Sequence, residues 1–157
     1  MRIAVMSDTH GNVRMAVNAF KRLGKIDCLI HLGDYYQDAI EIGKKVGLTV
    51  GAVSGNMDVD AYPFLPREKI IEFDSMRIFI THGDIYRVRQ GIDCLFERII
   101  TEDVQAVLFG HTHVPMNKQI GRILFLNPGC ILAGNSQNSL AVLKVTKGNI
   151  EGEVIPL

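Results

Sequence analysis

The sequence predicts an α/β fold, a four-layer αββα sandwich of two mixed sheets with helices outside, formed as a single domain over residues 1–157. Three observations lead to this prediction. Strands and helices alternate in the first half, as they do in the parallel βαβ units of α/β proteins. The second half changes to strands paired around short turns, which is typical of hairpins. A length of 157 residues is that of one domain with a substantial core.

The first half contains three short apolar strands with helical patterns between them. Asn12 is placed to cap the first helix, whose apolar residues recur at helical spacing, and Gly24 is placed to end it. The other expected elements are strands over Arg2–Met6, Cys28–Leu32 and Thr49–Ser54 and a helix over Asp38–Val46.

The second half contains three expected hairpins, with turns at Asp74-Ser75, Gly121-Arg122 and Lys147-Gly148-Asn149. The stretch Tyr62–Pro66 is expected to be a loop between the halves. The expected elements are strands over Lys69–Phe73, Arg77–Thr81, Val104–Phe109, Lys118–Ile120, Ile123–Leu126, Leu140–Val145 and Ile150–Ile155 and a helix over Ile92–Ile100.

Charge and composition narrow the functions open to the chain. The 17 Lys and Arg residues balance 17 Asp and Glu residues and lie scattered, so we expect no sustained nucleic-acid binding. Apolar residues make up 47% of the chain, but no apolar run approaches the roughly 20 residues of a membrane span, so no membrane partner is expected. The polar start of the chain and the three widely spaced cysteines favour the cytoplasm.

Residues able to bind metal ions follow five of the predicted strands. Because ligand sites in α/β sheets gather at the carboxyl ends of strands, we expect these side chains to meet in one pocket. His31 lies inside a strand and is expected to be a packed histidine, or one that supports a ligand from behind, rather than a ligand. The candidate ligands include four of the five histidines: Asp8, His10, Asp34, Asn56, His82, His111 and His113.

Spacing and residue type both favour a metal site. Asp8 and His10 are two positions apart, as are His111 and His113, and in extended backbone such residues face the same side. Imidazole and carboxylate ligands suit Zn, Mn, Fe, Co or Ni. A single histidine after a strand is weakly specific, since it is usually a loop residue, and Gly33-Asp34 is a common turn, while Gly110-His111-Thr112-His113 is moderately specific. The ordered set of five motifs is what predicts the site.

Together these motifs resemble the signature of the calcineurin-like metallophosphoesterases, and the short length is most similar to the small prokaryotic phosphodiesterases of that family. The resemblance covers Met1 to about Gly129 and implies an αββα sandwich with two divalent metal ions. It further implies hydrolysis of a phosphodiester by a hydroxide that bridges the two ions. The motifs that carry the resemblance are Asp8-x-His10, Gly33-Asp34, Gly55-Asn56, His82 and Gly110-His111-x-His113.

The resemblance also implies individual roles. Manganese is the favoured metal, with nickel, zinc, iron or cobalt as alternatives. Substrate contacts are expected from Asn56 and from Asn12, whose amide can donate to a phosphate at the start of the first helix or cap that helix. Catalysis is assigned to Asp34, Asn56 and His82. The first ion would take Asp8, His10, Asp34 and His113, and the second would take Asp34, Asn56, His82 and His111.

Two positions depart from the family pattern. Many members place a histidine after the Gly-Asn pair, where it can protonate the leaving group, but this chain has Met57, whose thioether cannot donate a proton. Asp84 stands where small members often have a second histidine. Its carboxylate could hydrogen-bond a ligand histidine from behind, accept a proton or repel an anionic substrate, and we favour the first role.

Other functions remain open at this point. The same site could serve a phosphomonoester, so a phosphomonoesterase is the main alternative to a phosphodiesterase. A protein-binding scaffold is less favoured: the small subunit of the retromer coat resembles this family and is used in that way, but a scaffold needs no complete ligand set. The expected partner is a small phosphate-ester substrate, and the resemblance also implies a homo-oligomer.

Overall fold

The computed structural model describes Met1–Leu157 and contains ten strands and three helices. The helices are α1 (Val13–Phe20), α2 (Tyr36–Val46) and α3 (Asp93–Ile99), and short 3-10 turns cover Val59–Ala61 and Asp84–Tyr86. The strands are β1 (Arg2–Met6), β2 (Cys28–His31), β3 (Val50–Ala52), β4 (Glu68–Phe73), β5 (Met76–Thr81), β6 (Ala106–Leu108), β7 (Met116–Ile120), β8 (Ile123–Asn127), β9 (Ser139–Thr146) and β10 (Asn149–Pro156).

The strands form two five-stranded sheets, and both sheets are mixed, as predicted. The first sheet has the order β10-β9-β1-β2-β3, in which β1, β2 and β3 are parallel and β9 and β10 are antiparallel. The second sheet has the order β4-β5-β6-β8-β7, in which β5, β6 and β8 are parallel. The loops that carry the candidate ligands follow parallel strands in each sheet, which places them at the carboxyl ends of those strands.

Three hydrophobic clusters separate the layers. The central cluster has 15 buried residues from both sheets, including Ile3 and Ile30 of the first sheet and Ile78 and Leu126 of the second. A second cluster packs α1 and α2 on the outer face of the first sheet, and a third packs α3 on the outer face of the second. Burying each such side chain contributes roughly 1.5–3 kcal/mol, so these clusters hold the two sheets face to face. The predicted αββα sandwich is therefore confirmed.

The ends of the first two helices differ from the prediction. The backbone carbonyl of Asn12 accepts the first helical bond from Ala16, but its side chain makes no capping bond, because its amide donates back to Thr9 O at 2.9 Å. Helix α1 ends at Phe20 rather than continuing to Gly24. Helix α2 begins at Tyr36, two residues before the expected start.

The three hairpins form where the sequence places them. Phe73 pairs with Met76 around Asp74 and Ser75, both of which have positive φ, as a two-residue turn of this kind requires. The turn at Gly121-Arg122 also has two residues, while the last turn is one residue shorter than expected, because Thr146 pairs directly with Asn149. No helix is both long enough and apolar enough to cross a bilayer.

Candidate metal centre

Loops from both sheets meet at one edge of the sandwich. The loop after β6 contacts the loop after β1, where the His111 N–H donates to Asp8 Oδ2 at 3.0 Å. The residue that follows β5, His82, bonds through Nδ1 to Leu32 O, next to the end of β2, at 2.8 Å. Candidate ligands that are far apart in the chain are thereby brought into one site, as the strand-end positions predict.

A first group of donor atoms consists of Asp8, His10 and His113, whose ligand atoms lie within 4.8 Å of one another. His113 Nε2 is 3.0 Å from Asp8 Oδ1, and His10 Nε2 is 4.0 Å from the same oxygen. Asp34 Oδ2 lies 3.9 Å from His10 Nε2. The structure thus brings together the four residues that the resemblance assigns to the first metal ion.

A second group consists of Asp8, Asp34 and His82. His82 Nε2 is 3.5 Å from Asp34 Oδ1 and 4.0 Å from Asp8 Oδ1, and His111 Nδ1 lies 3.2 Å from His82 Nε2. Asp34 therefore faces His10 with one oxygen and His82 with the other, the position expected of a bridging carboxylate. Asp8 also belongs to this second group, a contact that the motif assignment does not include.

Asn56, the remaining candidate ligand, lies on the loop after β3. It is exposed, and its loop reaches the site through the next residue, since the Met57 N–H donates to Asp34 Oδ1 at 2.9 Å. Asn12, the other expected substrate contact, directs its amide at Thr9 O and His10 O, at 2.9 and 3.3 Å. Both of its amide hydrogens therefore have acceptors within the loop after β1.

The backbone at the ligands is left-handed rather than extended, which corrects the geometry expected from their two-residue spacing. Nine non-glycine residues have positive φ, and five of these nine are candidate ligands. Their φ values are 54° at Asp8, 43° at His10, 56° at Asp34, 64° at His111 and 60° at His113. Residues in this region of φ and ψ are strained and concentrate at functional sites. Each loop turns sharply at its ligand, so the pairs converge by turning and not by strand alternation.

Close packing of the loops leaves no room for a side chain at Gly33, which precedes Asp34. A Cβ atom there would lie 2.5 Å from the Gly55 nitrogen and 2.8 Å from its Cα, and φ is +95°. Only glycine accommodates both the contact and the conformation. The loops that carry Asp34 and Asn56 are consequently in van der Waals contact.

The donor set fits divalent metal ions. The two carboxylates Asp8 and Asp34 are nearly fully buried and both lie within 4.0 Å of His82 Nε2, and a cation bound there would offset their buried negative charge. The buried His10 Nε2 has no hydrogen-bond partner, which leaves its lone pair or proton aimed into the cluster. Mixed imidazole and carboxylate donors are those that Mn, Fe, Co, Ni and Zn accept.

Ionisation in the cluster follows from burial and from the paired charges. Burial acts to raise the pKa of Asp8, but the hydrogen bond from His113 and the charge of His82 outweigh it, so the pKa falls below its ordinary value. The same hydrogen bond raises the pKa of His113. Burial, followed by the charge of His82, lowers the pKa of His111. Asp8 is therefore an anion at neutral pH, as a metal ligand must be.

The tautomer of His82 is set by the backbone of the neighbouring sheet. A carbonyl can only accept, so the 2.8 Å contact between Nδ1 and Leu32 O keeps a proton on Nδ1. Nε2 is therefore the nitrogen available to a metal ion, and it faces Asp34 and Asp8. A backbone carbonyl behind a ligand histidine is the usual way of orienting the ring toward a metal ion.

Two buried aspartates hold the loops of the first sheet. Asp58, which is 4% exposed, accepts hydrogen bonds from the N–H groups of Gly55, Tyr35 and Tyr36 at 2.8–2.9 Å. It thereby joins the loop of Asn56 to the loop of Asp34. Asp38 Oδ2 accepts from Thr9 Oγ1 and Gly11 N, each at 2.7 Å. It joins the loop after β1 to helix α2.

His31 is packed inside the first sheet, as predicted, and does not face the metal centre. It is fully buried, and its Nε2 contacts Thr9 Oγ1 at 3.1 Å while its Nδ1 accepts from Gly33 N at 3.3 Å. Because Nδ1 accepts and Thr9 gives its hydroxyl proton to Asp38, the ring donates from Nε2 and is neutral. Burial lowers its pKa to about 4.

Asp84 contacts an arginine rather than a ligand histidine. Its Oδ2 pairs with Arg67 Nη2, and Arg67 Nη1 donates to Gly55 O at 3.1 Å. The guanidinium of Arg67 also lies 4.6 Å from the ring centroid of Tyr62. The hydrogen bond to a ligand histidine favoured for Asp84 is thus replaced by an ion pair that ties the loop after β5 to the loop of Asn56.

Several residues that shape the site carry no signal in the sequence. Asp38 fits the first turn of a predicted helix, and Arg67 is one basic residue after a loop. Arg89, whose guanidinium donates to His111 O at 3.3 Å, belongs to a short basic cluster. Asn127 Nδ2 donates to Gly110 O at 2.9 Å from the end of β8. Their roles depend on contacts across the chain and not on local pattern.

The family follows from this architecture and from comparison with known proteins. Residues 1–148 match the model of the calcineurin-like phosphoesterase superfamily domain, and the chain belongs to that superfamily. It is 32% identical over its whole length to a probable metallophosphoesterase of Methanocaldococcus jannaschii, of which the match covers 82%. It is 29% identical to a phosphodiesterase of the same organism, over 82% of the chain and 83% of that protein. These relatives confirm the resemblance to small prokaryotic members.

Solved structures agree on the fold. A conserved protein of Streptococcus pneumoniae described as a predicted phosphoesterase matches with a TM-score of 0.78 and 28% identity, over 99% of this chain and 88% of that chain. Vps29 of Entamoeba histolytica, solved in complex with zinc, matches with a TM-score of 0.78 over 99% of both chains. At 20% identity, the likeness to Vps29 shows the fold alone.

Proposed function

We propose that the chain is a metal-dependent phosphodiesterase that hydrolyses a small phosphate ester at the centre formed by both sheets. The observation that carries this proposal is the convergence of two buried carboxylates and four imidazoles on one point, with Asp34 between the two donor groups. A phosphodiesterase of Methanocaldococcus jannaschii and the superfamily match support the same class of reaction.

Two divalent ions, with manganese favoured, would be held by the two ligand sets that the resemblance implies. The first set is Asp8, His10, Asp34 and His113, and the second is Asp34, Asn56, His82 and His111. When bound, such ions supply an activated water and neutralise the oxygens of a phosphoryl group. Asp8 and Asp34 cancel only half of the charge of two divalent cations. The remaining positive charge favours an anionic ester in this pocket.

The protein side chains fix the geometry of this reaction. The backbone bond from Met57 N to Asp34 Oδ1, and the Nδ1 bond from His82 to Leu32 O, keep both ligands from rotating. The positive φ values at Asp8, Asp34 and His111 persist because contacts such as His111 N to Asp8 Oδ2 hold the loops in one arrangement before substrate arrives. A site organised in this way loses little energy to rearrangement during the reaction.

Protonation of the leaving group is the step for which the chain offers no histidine. Four histidines lie in the metal centre and His31 is buried in the first sheet, while Met57 occupies the family's position for an acid. We therefore propose a substrate whose leaving group departs without a strong general acid, or one protonated by water.

The experiment that tests the proposal removes metal from the protein with a chelator and restores Mn²⁺, Ni²⁺, Zn²⁺ or Mg²⁺ singly. Hydrolysis is measured on bis(4-nitrophenyl) phosphate and on 4-nitrophenyl phosphate, which share a chromophore. Cleavage of the diester well above the monoester, restored by one of the metals, is the expected result.

The alternatives give different outcomes in the same assay. Faster cleavage of the monoester would make the chain a phosphomonoesterase with the same site. No turnover with any ion, although metal is bound, would overturn the proposal and favour a protein-binding role.

We place the protein in the cytoplasm, where its three free cysteines stay reduced, and we propose a homo-oligomer on the family resemblance.

A further inference from the structure

Large apolar side chains are exposed around the metal centre. Ten large hydrophobic residues of the chain are exposed, and three of them directly follow candidate ligands. Tyr35 follows Asp34 and is 38% exposed, Met57 follows Asn56 and is 56% exposed, and Val114 follows His113 and is 64% exposed. Exposed apolar side chains grouped at one place mark a surface that binds something.

Tyr35 is held in place beside a ligand. Its ring lies 4.9 Å from the ring of His10, measured between centroids and tilted by 57°. Its backbone is left-handed, with φ of 69°, a conformation that a bulky residue adopts only when its surroundings impose it. The hydrogen bond from Tyr35 N to Asp58 imposes it here. A costly backbone conformation thus presents an aromatic ring to solvent at the edge of the metal centre.

Met57 belongs to a loop that is bonded to the loop of Tyr35. Its N–H donates to Asp34 Oδ1, and Asp58 ties its loop to the backbone of Tyr35. A methionine side chain is apolar and flexible, so it adapts to the shape of a bound group. Tyr35, next to Asp34, and Met57, whose N–H is bonded to Asp34, are therefore exposed apolar residues on two loops that Asp58 fastens together, and we call these two side chains the apolar rim.

The apolar rim and the metal centre would contact different chemical groups of one bound substrate. The centre needs an anion, whereas the rim offers an aromatic face and a thioether that a hydrated phosphate does not use. We infer that the substrate is a phosphodiester in which one ester group contains a flat aromatic ring, and that this ring stacks on Tyr35 and contacts Met57. This inference rests on the proposed function and names the substrate class of the same site.

The first test varies the ester group that stays on phosphorus and keeps the leaving group constant. Methyl, phenyl and thymidine 5′ esters of 4-nitrophenyl phosphate all release 4-nitrophenolate. We expect kcat/KM for the phenyl or the thymidine ester to exceed that for the methyl ester about tenfold, the range of one aromatic stacking contact. Preference for the thymidine ester would identify a nucleobase as the aromatic group, and preference for the phenyl ester would identify a simple aryl group.

Matched variants assign the preference to the rim. Tyr35→Asn keeps a residue that tolerates the left-handed backbone but removes the ring, so the aromatic preference should fall about tenfold. Tyr35→Phe keeps the ring and should retain the preference. Ile100→Ala, which shortens an exposed apolar residue at the end of α3, should leave all rates unchanged. An equal loss for aromatic and methyl esters in Tyr35→Asn would overturn the inference.

A binding measurement separates this inference from the proposed function. Phenylphosphonate and methylphosphonate are titrated into the Mn²⁺-loaded protein by calorimetry, and the phenyl compound should bind about tenfold more tightly, but not in Tyr35→Asn. If no diester is hydrolysed but this difference persists, the rim is retained and the phosphodiesterase proposal fails. Equal affinity of the two phosphonates for the wild-type protein overturns the rim whatever the turnover.

Discussion

The two sheets contribute different chemistry to one site. The first sheet supplies both carboxylates, Asp8 and Asp34, together with His10, while the second supplies three imidazoles, those of His82, His111 and His113. Neither sheet alone offers both the buried carboxylate pair and all of these imidazoles. The candidate metal centre therefore forms only when the two sheets pack together through the hydrophobic layer between them.

The two sets of loops are also supported differently. Those of the first sheet are fastened by buried carboxylates, since Asp38 and Asp58 together accept five hydrogen bonds from neighbouring loops and helix starts. The loop after β6 is supported by an amide, because Asn127 Nδ2 donates to Gly110 O and to Thr112 Oγ1. Charge is thus concentrated in the first sheet's half of the site, and removing it there should have the largest effect.

Asp34→Asn tests the carboxylate half and should have the largest effect. The amide keeps the shape of the side chain but removes the charge that faces both His10 and His82. We expect kcat on bis(4-nitrophenyl) phosphate to fall about a thousandfold, roughly 4 kcal/mol of transition-state stabilisation, with the fold unchanged by circular dichroism. Metal content, measured by mass spectrometry, should fall as well.

Asp60→Asn is the matched control, because Asp60 is an exposed aspartate in the 3-10 turn after Asn56. It should keep wild-type rates and metal content. Wild-type diester turnover in Asp34→Asn would show that the two donor groups do not share this carboxylate, and the two-metal proposal would be wrong.

Strand positions and the convergence of the candidate ligands could be predicted from sequence because both follow from local patterns. Apolar runs ending in Asp, Asn or His mark strand ends, and parallel strands bring such ends to one edge. The left-handed backbone at Asp8 and His111 could not be predicted, because its cost is met by contacts 103 positions apart, such as His111 N to Asp8 Oδ2. Asp84 shows the same limit, since its partner Arg67 precedes it by 17 positions.

The helix ends show a related limit. Asn12 has the residue type and position of a cap, but its amide is used by the loop that carries His10. Asp38 has the residue type of a helix start, but its carboxylate holds Thr9 and Gly11. At the start of both helices, these polar side chains bond to the loops that carry the ligands. Rules that predict helix starts from residue type therefore fail here, whereas the rules that predict hairpin turns hold.

The protonation of buried His31 should make the free energy of unfolding depend on pH. Its pKa is about 4 in the folded protein, against about 6.5 when unfolded, so the unfolded state binds more protons between these values. The full stability is present above pH 6.5, and roughly 3 kcal/mol is lost as the pH falls through about 4. Urea unfolding of the metal-free protein between pH 7 and pH 4 measures this loss.

His31→Gln supplies the comparison, because it removes the titrating group while other groups that titrate in this range are shared by both proteins. The difference in unfolding free energy between wild type and variant should shrink as the pH falls. Parallel curves for the two proteins would contradict a neutral, buried His31.

Gly110→Ala tests the contact between the two halves. A Cβ atom at Gly110 would lie 2.8 Å from Ser7 Cβ and 2.9 Å from Asp8 Oδ2, so the loop after β6 would have to move away from the loop after β1. We expect a loss of about 2 kcal/mol in unfolding free energy and weaker metal binding. Gly51→Ala is the control, because nothing lies within 4 Å of its added Cβ. Equal stability of the two variants would mean that the loop after β6 can move away from the loop after β1 without loss of stability, which contradicts this prediction.

Met57→His has the smallest expected effect and asks whether the missing acid limits the reaction. Met57 N is anchored on Asp34, so an imidazole at this position would stand beside the metal centre without replacing a ligand. Diesters that share one phenyl group and differ in the pKa of the leaving phenol give the measurement. We expect the poorest leaving groups to be cleaved about tenfold faster than by wild type, because a positioned acid acts most on them, with nitrophenyl esters little changed.

Met57→Leu keeps the apolar character and should leave the dependence on leaving group as it is in wild type. If Met57→His also leaves that dependence unchanged while metal content is preserved, protonation of the leaving group is not what limits this site, and water already serves that purpose.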